Sequence, residues 1–132
     1  MADLSDAGVR ELLENPNHAV VSTLNEDGSI SSKIVWVSLE DGTLAVNSAV
    51  GRDWPSNLER DPRVTLLVYN AGDAFDYLEV RGRAEGTTEG ADDHIDRLAK
   101  KYLNADSYPF RDPSEQRITY LITPEVINHV KG

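Results

Sequence analysis

The stretch NSAVGRDWPSNLERDPRV, Asn47 to Val64, gathers residue types that bind an anion. Arg52 offers a guanidinium fork that can grip a phosphate or carboxylate through two parallel hydrogen bonds. Gly51, just before it, lets backbone come close to a ligand. Pro55 is tolerated in the first turn of a helix, and a helix starting here aims free N–H groups and a positive dipole end at the same place. Ser48 adds a hydroxyl and Asn57 an amide. Lys33 lies on the neighbouring strand, where hairpin pairing could bring it alongside. The plainer alternative is an exposed loop in which Arg52 pairs with Asp53 or Glu59. Trp54, one of two tryptophans in the chain, has two readings as well. It stacks on a ring or on Arg52, a cation–π contact worth roughly 0.5–2 kcal/mol, or it is a core residue under the helix.

Other chemistry lacks its residues. His18, His94 and His129 are far apart and have no metal-box spacing. DDHID, Asp92 to Asp96, reads as a solvated acidic first turn that complements a helix dipole. AGDAFD lacks the spaced oxygen ligands of a calcium loop. GRAEG, Gly82 to Gly86, falls inside a strand pattern and not at a strand-to-helix turn, so it is no dinucleotide fingerprint. No nucleophile elbow occurs. An enzymatic reaction here needs a bound cofactor to carry it, and no side chain stands out as catalytic.

Composition narrows the partners. The 132 residues carry 23 acidic and 13 basic side chains, a net charge of −10. Such a surface repels nucleic acid and anionic membranes, so an anionic ligand needs a local positive pocket. The few cations cluster: Arg52, Arg60 and Arg63 in the opening stretch, then Arg81 and Arg83. There is no cysteine, which excludes disulfides and thiolate chemistry. No apolar run approaches the ~20 residues of a membrane span, and the acidic, polar start is unlike a signal peptide. A cytoplasmic protein is the default expectation.

These residues must be held by a fold, and the patterning is that of short strands. Ser5–Glu14 predicts a helix capped by Ser5, with Val9, Leu12 and Leu13 as its apolar stripe. AVVSTL (19–24), SISSKIVWVSL (29–39) and TLAVNSAV (43–50) predict three strands. Asp27-Gly28 and Asp41-Gly42 turn the chain between them, which makes an antiparallel meander. Gly51–Arg60 predicts a short helix, stopped at Asp61-Pro62. Arg63–Asn70 and Tyr77–Thr88 follow as strands, the second interrupted by Gly82 and Gly86, a sign of bulges or close backbone approach. Ala91–Leu103 is an amphipathic helix with Ile95, Leu98, Ala99, Tyr102 and Leu103 on one face. RITYLIT, extended by VINHV, ends the chain as strand. The sum is one mainly β (α+β) domain, residues 1–132, an antiparallel β-barrel with short helices. The 29–39 strand is apolar on both faces: Val35, Val37 and Leu39 on one, Ile30, Ile34 and Trp36 on the other. A partner subunit or a packed helix must cover the second face.

The sequence resembles the FMN-binding split β-barrel proteins of the pyridoxamine 5'-phosphate oxidase-like superfamily, and within it the deazaflavin (coenzyme F420)-dependent oxidoreductases. The likeness is carried by DGSISSKIVWVSLEDGTLAVNSAVGRDWPSNLERDPRVTLLV (27–68), by YLEVRGRAEGTTEGADDHIDRLAKKYL and by YPF, out to Phe110. It covers nearly the whole chain. NLERDPRV and EVRGRAEG, in this order and spacing, are fairly specific for the group. The resemblance implies a homodimer with one cofactor in each of two grooves at the subunit interface. The cofactor would be F420, with FMN as the alternative, and the reaction a hydride transfer to an electron-poor conjugated small molecule. It further implies cofactor contacts from Lys33, Val35, Trp36, Ser48, Val50, Gly51, Arg52, Trp54, Pro55 and Asn57. Tyr77, Arg81 and Tyr108 would face the groove or the partner, and Tyr77 or Tyr108 could donate a proton. A non-catalytic binder of flavin or haem is a further alternative. One departure stands out: many members have a lysine where this chain has Trp54, and a basic residue where it has Ser56.

Overall fold

Seven strands and three helices make up the computed structural model, which describes residues 2–132. In chain order they are α1 (Ala7–Glu14), β1 (Ala19–Leu24), β2 (Ile30–Val35), β3 (Val37–Glu40), β4 (Thr43–Ala49), α2 (Asp53–Arg60), β5 (Arg63–Asn70), β6 (Asp73–Thr87), α3 (Ala91–Leu103) and β7 (Arg117–Lys131). All strands belong to one antiparallel sheet of order β2-β1-β5-β6-β7-β4-β3. The mainly β, antiparallel fold expected from the patterning forms, and it is the split barrel that the resemblance implies.

The order corrects the three-strand meander. The 29–39 stretch is not one strand but two, broken at Trp36. β2 pairs with β1, and β3 pairs with β4, at opposite edges of the sheet. A single residue therefore joins the two edge strands and draws the ends of the sheet together without a ladder between them. α3 holds the break open. The Val37 N–H donates to the Tyr102 hydroxyl (3.2 Å), and the Val37 carbonyl accepts from the Lys101 ammonium (2.7 Å). Backbone groups that a continuous strand would pair are thus paired by a helix.

Other boundaries shift for local reasons. Asp6, not Ser5, sits at the start of α1; the Ser5 hydroxyl donates instead to Asp3 (2.7 Å). α2 begins at Asp53, because Gly51 takes a left-handed φ of 91° in the turn before it. β6 starts at Asp73, so AGDAFD is a tight turn followed by strand rather than a loop. β7 is one 15-residue strand. It passes Pro124 by a bulge opposite Gly82, where a Cβ would lie 2.1 Å from the Thr123 carbonyl oxygen. Glycine and proline are both explained by that one irregularity.

The inner face of the sheet, with Val21, Val46, Leu66, Leu78, Val80 and Ile122 all at 0% exposure, packs on Leu12 and Leu13 of α1. α3 buries Ile95, Leu98 and Ala99 as predicted; Leu103 remains 44% exposed and His94 is buried in its stead. On β2, Ile30 and Ile34 stay 69% and 63% exposed. Among the described residues, α3 covers the Trp36 corner of the doubly apolar stretch and α1 packs on β3, while Ile30 and Ile34 have no helix over them.

Candidate functional site

Where β2 breaks, a cleft of about 300 Å³ opens between the Trp36 corner, the end of β4, the start of α2 and the loop before β7. Five of the ten expected cofactor contacts line it: Val35, Trp36, Ser48, Arg52 and Trp54. His18, Asn47, Tyr108, Phe110 and Arg117 line it with them.

One wall is aromatic. Trp36 lies parallel to Tyr102, with ring centroids 5.3 Å apart and 8° between planes. Tyr108 meets Trp36 edge-on at 6.3 Å and Phe110 at 5.7 Å. Such a corner presents apolar faces and excludes water. Burial pushes the Tyr102 hydroxyl up to about 12, and the hydroxyl donates to the Asn17 carbonyl (2.6 Å).

A second part of the lining is cationic. Arg52 donates to Oε2 of Glu115, and Arg117 donates to Oε1 of the same carboxylate at 3.4 Å. Arg52 is half exposed; the Arg117 side chain is 6% exposed and stacks under Tyr108 at 5.2 Å. Burial lowers Arg117 from the ordinary arginine range. Arg52 thus pairs with neither Asp53 nor Glu59, the partners that sequence proximity offered. Glu59 accepts from the Tyr120 hydroxyl (2.7 Å).

Behind Arg117 runs a buried polar chain. Its Nε donates to Asn47 Oδ1 (3.0 Å), which fixes the Asn47 amide. The Asn47 NH₂ then faces the Ala91 carbonyl (3.0 Å) and His94 Nδ1 (3.1 Å). Facing a donor, Nδ1 is an acceptor, so Nε2 carries the proton and donates to Ser38 Oγ (2.9 Å). Ser38 passes its own proton bond to Glu40 (3.1 Å). Burial, with Arg97 nearby, drives His94 down to about 4, which keeps the ring neutral. DDHID is therefore divided: Asp93 pairs with Arg97, Asp92 and Asp96 pair with Arg111, and His94 turns inward.

The remaining predicted contacts lie around the cleft, not in its lining. Lys33 is exposed on β2, opposite Val21. Val50 is 51% exposed, and its N–H donates to the Gln116 carbonyl (2.8 Å). Gly51 forms the turn. Pro55 is buried, and its carbonyl accepts from Tyr120 (3.1 Å). Asn57 is buried and ties α2 to β1 through Thr23 (3.0 Å) and Asn25 (2.9 Å). Trp54 resolves toward the core: it is 7% exposed and packs on Tyr120 at 5.7 Å, while also lining the cleft. Tyr77 and Arg81 stand on the far face of the sheet, away from this cleft. Asn47, Glu115 and Arg117 were missed. Their signals were a polar residue inside AVNSAV and an arginine opening RITYLI.

Among the described residues no group of three or more His, Asp or Glu side chains could hold a metal ion, and no helix is long and apolar enough to cross a membrane.

An antiparallel split barrel with an aromatic and cationic cleft at its seam defines a class of cofactor-binding domains. The sequence pattern of the family described as pyridoxamine 5'-phosphate oxidase matches residues 5–131, and the chain belongs to that family. Solved structures share the fold. One, named F420 Reductase, superposes with a TM-score of 0.79 at 22% identity, covering 90% of this chain and 94% of that one. A conserved hypothetical protein from Mycobacterium tuberculosis gives 0.79 at 20% identity, over 99% and 88% of the two chains. General Stress Protein 26 from Bacillus anthracis gives 0.71 at 22% identity, over 93% and 91%. At such identities the likeness is one of fold. No curated protein matches the sequence.

Proposed function

We propose that this protein is a deazaflavin (F420)-dependent oxidoreductase acting on an electron-poor conjugated small molecule. The observation that carries the reading is the cleft, which sets a planar aromatic wall at Trp36 beside the guanidinium of Arg52. Flat ring and phosphate are two parts of such a cofactor, and both have a fitting surface here. The structural likeness to a protein named F420 Reductase supports the choice within the family.

When bound, the cofactor supplies the hydride. The chain supplies position and environment. Arg52, with Ser48 at the end of β4, grips the phosphate; Lys33 and the turn at Val50 and Gly51 flank it. Val35 and Trp36 present backbone and ring to the planar system. Tyr108 and Phe110 close the aromatic wall and exclude water. Tyr108 is the one of the two candidate tyrosines that faces the cleft, and its hydroxyl is the proton donor in this reading. The polar contacts of Asn57 and Pro55 lie inside the protein, so they support α2 from beneath. The exposed Ile30 and Ile34, in register with Leu24 and Val20, form the face on which a second copy docks to complete the groove.

A second reading, FMN as the cofactor, is favoured by Trp54. Where relatives offer a lysine, this chain has a core side chain, and it offers no cation at Ser56, so an acidic tail has less to hold it. Titration of the purified protein with FMN and with the deazaflavin cofactor, followed by fluorescence, separates the two. The deazaflavin is expected to bind tighter, and Arg52→Ala to weaken it. Tight binding of FMN alone would select the second reading; affinity unmoved by Arg52→Ala would remove the pocket assignment.

A further inference from the structure

We infer that Glu115 is a resident counter-anion in a two-arginine phosphate site, and that a phosphate-bearing ligand binds by displacing its carboxylate from Arg52 and Arg117. This rests on the reading of the cleft as a cofactor site and adds Arg117 and Glu115 to it.

Both oxygens of one carboxylate are in use, Oε2 by Arg52 and Oε1 by Arg117. One negative charge thus bridges two positive ones that both line the cleft, and a positive charge is left over. A terminal phosphate, a dianion, matches the pair in charge and offers more acceptor oxygens; a diester phosphate replaces the carboxylate charge for charge. The Arg117–Glu115 bond is long, 3.4 Å. Arg117 itself is fixed from behind by Asn47 and from the side by Tyr108, so it keeps its place when the carboxylate leaves. Glu115, by contrast, belongs to the loop joining α3 to β7, outside any helix or strand. Its polar side-chain contacts are the two arginines. Holding a buried guanidinium unpaired is costly, which gives the carboxylate a role before a ligand arrives. The same carboxylate then competes with the ligand and sets its affinity.

The test measures binding of pyrophosphate, FMN and riboflavin, by calorimetry, to the full chain and to Glu115→Gln and Arg117→Lys. Glu115→Gln is expected to tighten pyrophosphate and FMN by about tenfold, the scale of one charge-assisted hydrogen bond. Riboflavin, which lacks the phosphate, should change little. Arg117→Lys, which keeps the charge but loses the planar fork, should weaken the phosphate-bearing ligands. Thermal melts without ligand verify that both variants fold; should Glu115→Gln not fold, Glu115→Asp, with its shorter reach, is expected to tighten FMN in the same direction. Where FMN binds the parent, unchanged or weaker binding to the folded Glu115 variant overturns the inference, as does an equal gain for riboflavin. The cofactor reading fails separately. If neither flavin nor deazaflavin binds but pyrophosphate still tightens in Glu115→Gln, the displacement stands and the cofactor is wrong. If no phosphate binds to any variant, the inference falls.

Discussion

Trp36 and Tyr102 lie face to face, 5.3 Å between centroids and 8° between planes, 66 positions apart in sequence. The stack joins the only residue between β2 and β3 to the last turn of α3. Beside it, the Tyr102 hydroxyl donates to the Asn17 carbonyl and receives the Val37 N–H. The seam of the barrel, and with it the aromatic wall of the cleft, depends on this contact.

Tyr102→Phe tests the hydroxyl while keeping the ring. It leaves the Asn17 carbonyl and the Val37 N–H without their partner, a cost of about 1–3 kcal/mol for buried unsatisfied groups. Urea unfolding should show the loss. The stack survives, so Trp36 fluorescence in the folded state should change little.

Trp54 and Ser56 separate packing from charge. Trp54→Lys restores the cation that relatives carry but removes a buried ring from Tyr120, and should cost about 3–5 kcal/mol. Ser56→Lys adds a cation on the exposed side of α2, and stability should stay within about 0.5 kcal/mol. In the same variant, deazaflavin affinity should rise severalfold at low salt and lose most of that gain at high salt.

His94 makes stability depend on pH in a defined window. Its folded value, about 4, lies below the ordinary 6.5. The unfolded chain therefore binds the proton first as pH falls, and folding loses up to roughly 3 kcal/mol between about pH 6.5 and 4. Above that window the term is flat. Charged neighbours act from both sides: Arg97 opposes protonation, while Glu40 and Asp93 favour it. Arg117 reaches the ring only through Asn47. Denaturant melts across the window should show His94→Gln with a shallower slope than the parent; equal slopes would remove His94 as the source.

Ile30 and Ile34 test the proposed docking face. They are far more exposed than their neighbours on β1, Leu24 and Val20. Replacing both by glutamate should yield a folded monomer by analytical ultracentrifugation where the parent sediments as a dimer. A parent that sediments as a monomer would discard the face.

The fold was largely legible because its signals are local. Asp27-Gly28 and Asp41-Gly42 announce hairpins, Gly82 a bulge, and the 3.6-residue spacing of Ile95, Leu98 and Ala99 a helix face. The break at Trp36 was not legible. IVWVS is as β-branched as any strand, and nothing nearby in sequence ends it. The partners that end it, Lys101 and Tyr102, come from α3.

The site divides in the same way. By itself the sequence determined a mainly β antiparallel domain with short helices, through turn chemistry and alternation that act between near neighbours; the split of the barrel came from the family resemblance. It marked Arg52 as a candidate anion contact, since glycine, arginine and a helix start sit side by side. Tertiary structure decided the rest. It put Trp54 in the core, turned Asn57 inward, and placed Glu115 and Arg117 opposite Arg52. Those choices depend on which strand edge meets which loop, and pairing across 63 residues, as between Arg52 and Glu115, leaves no periodic trace along the chain.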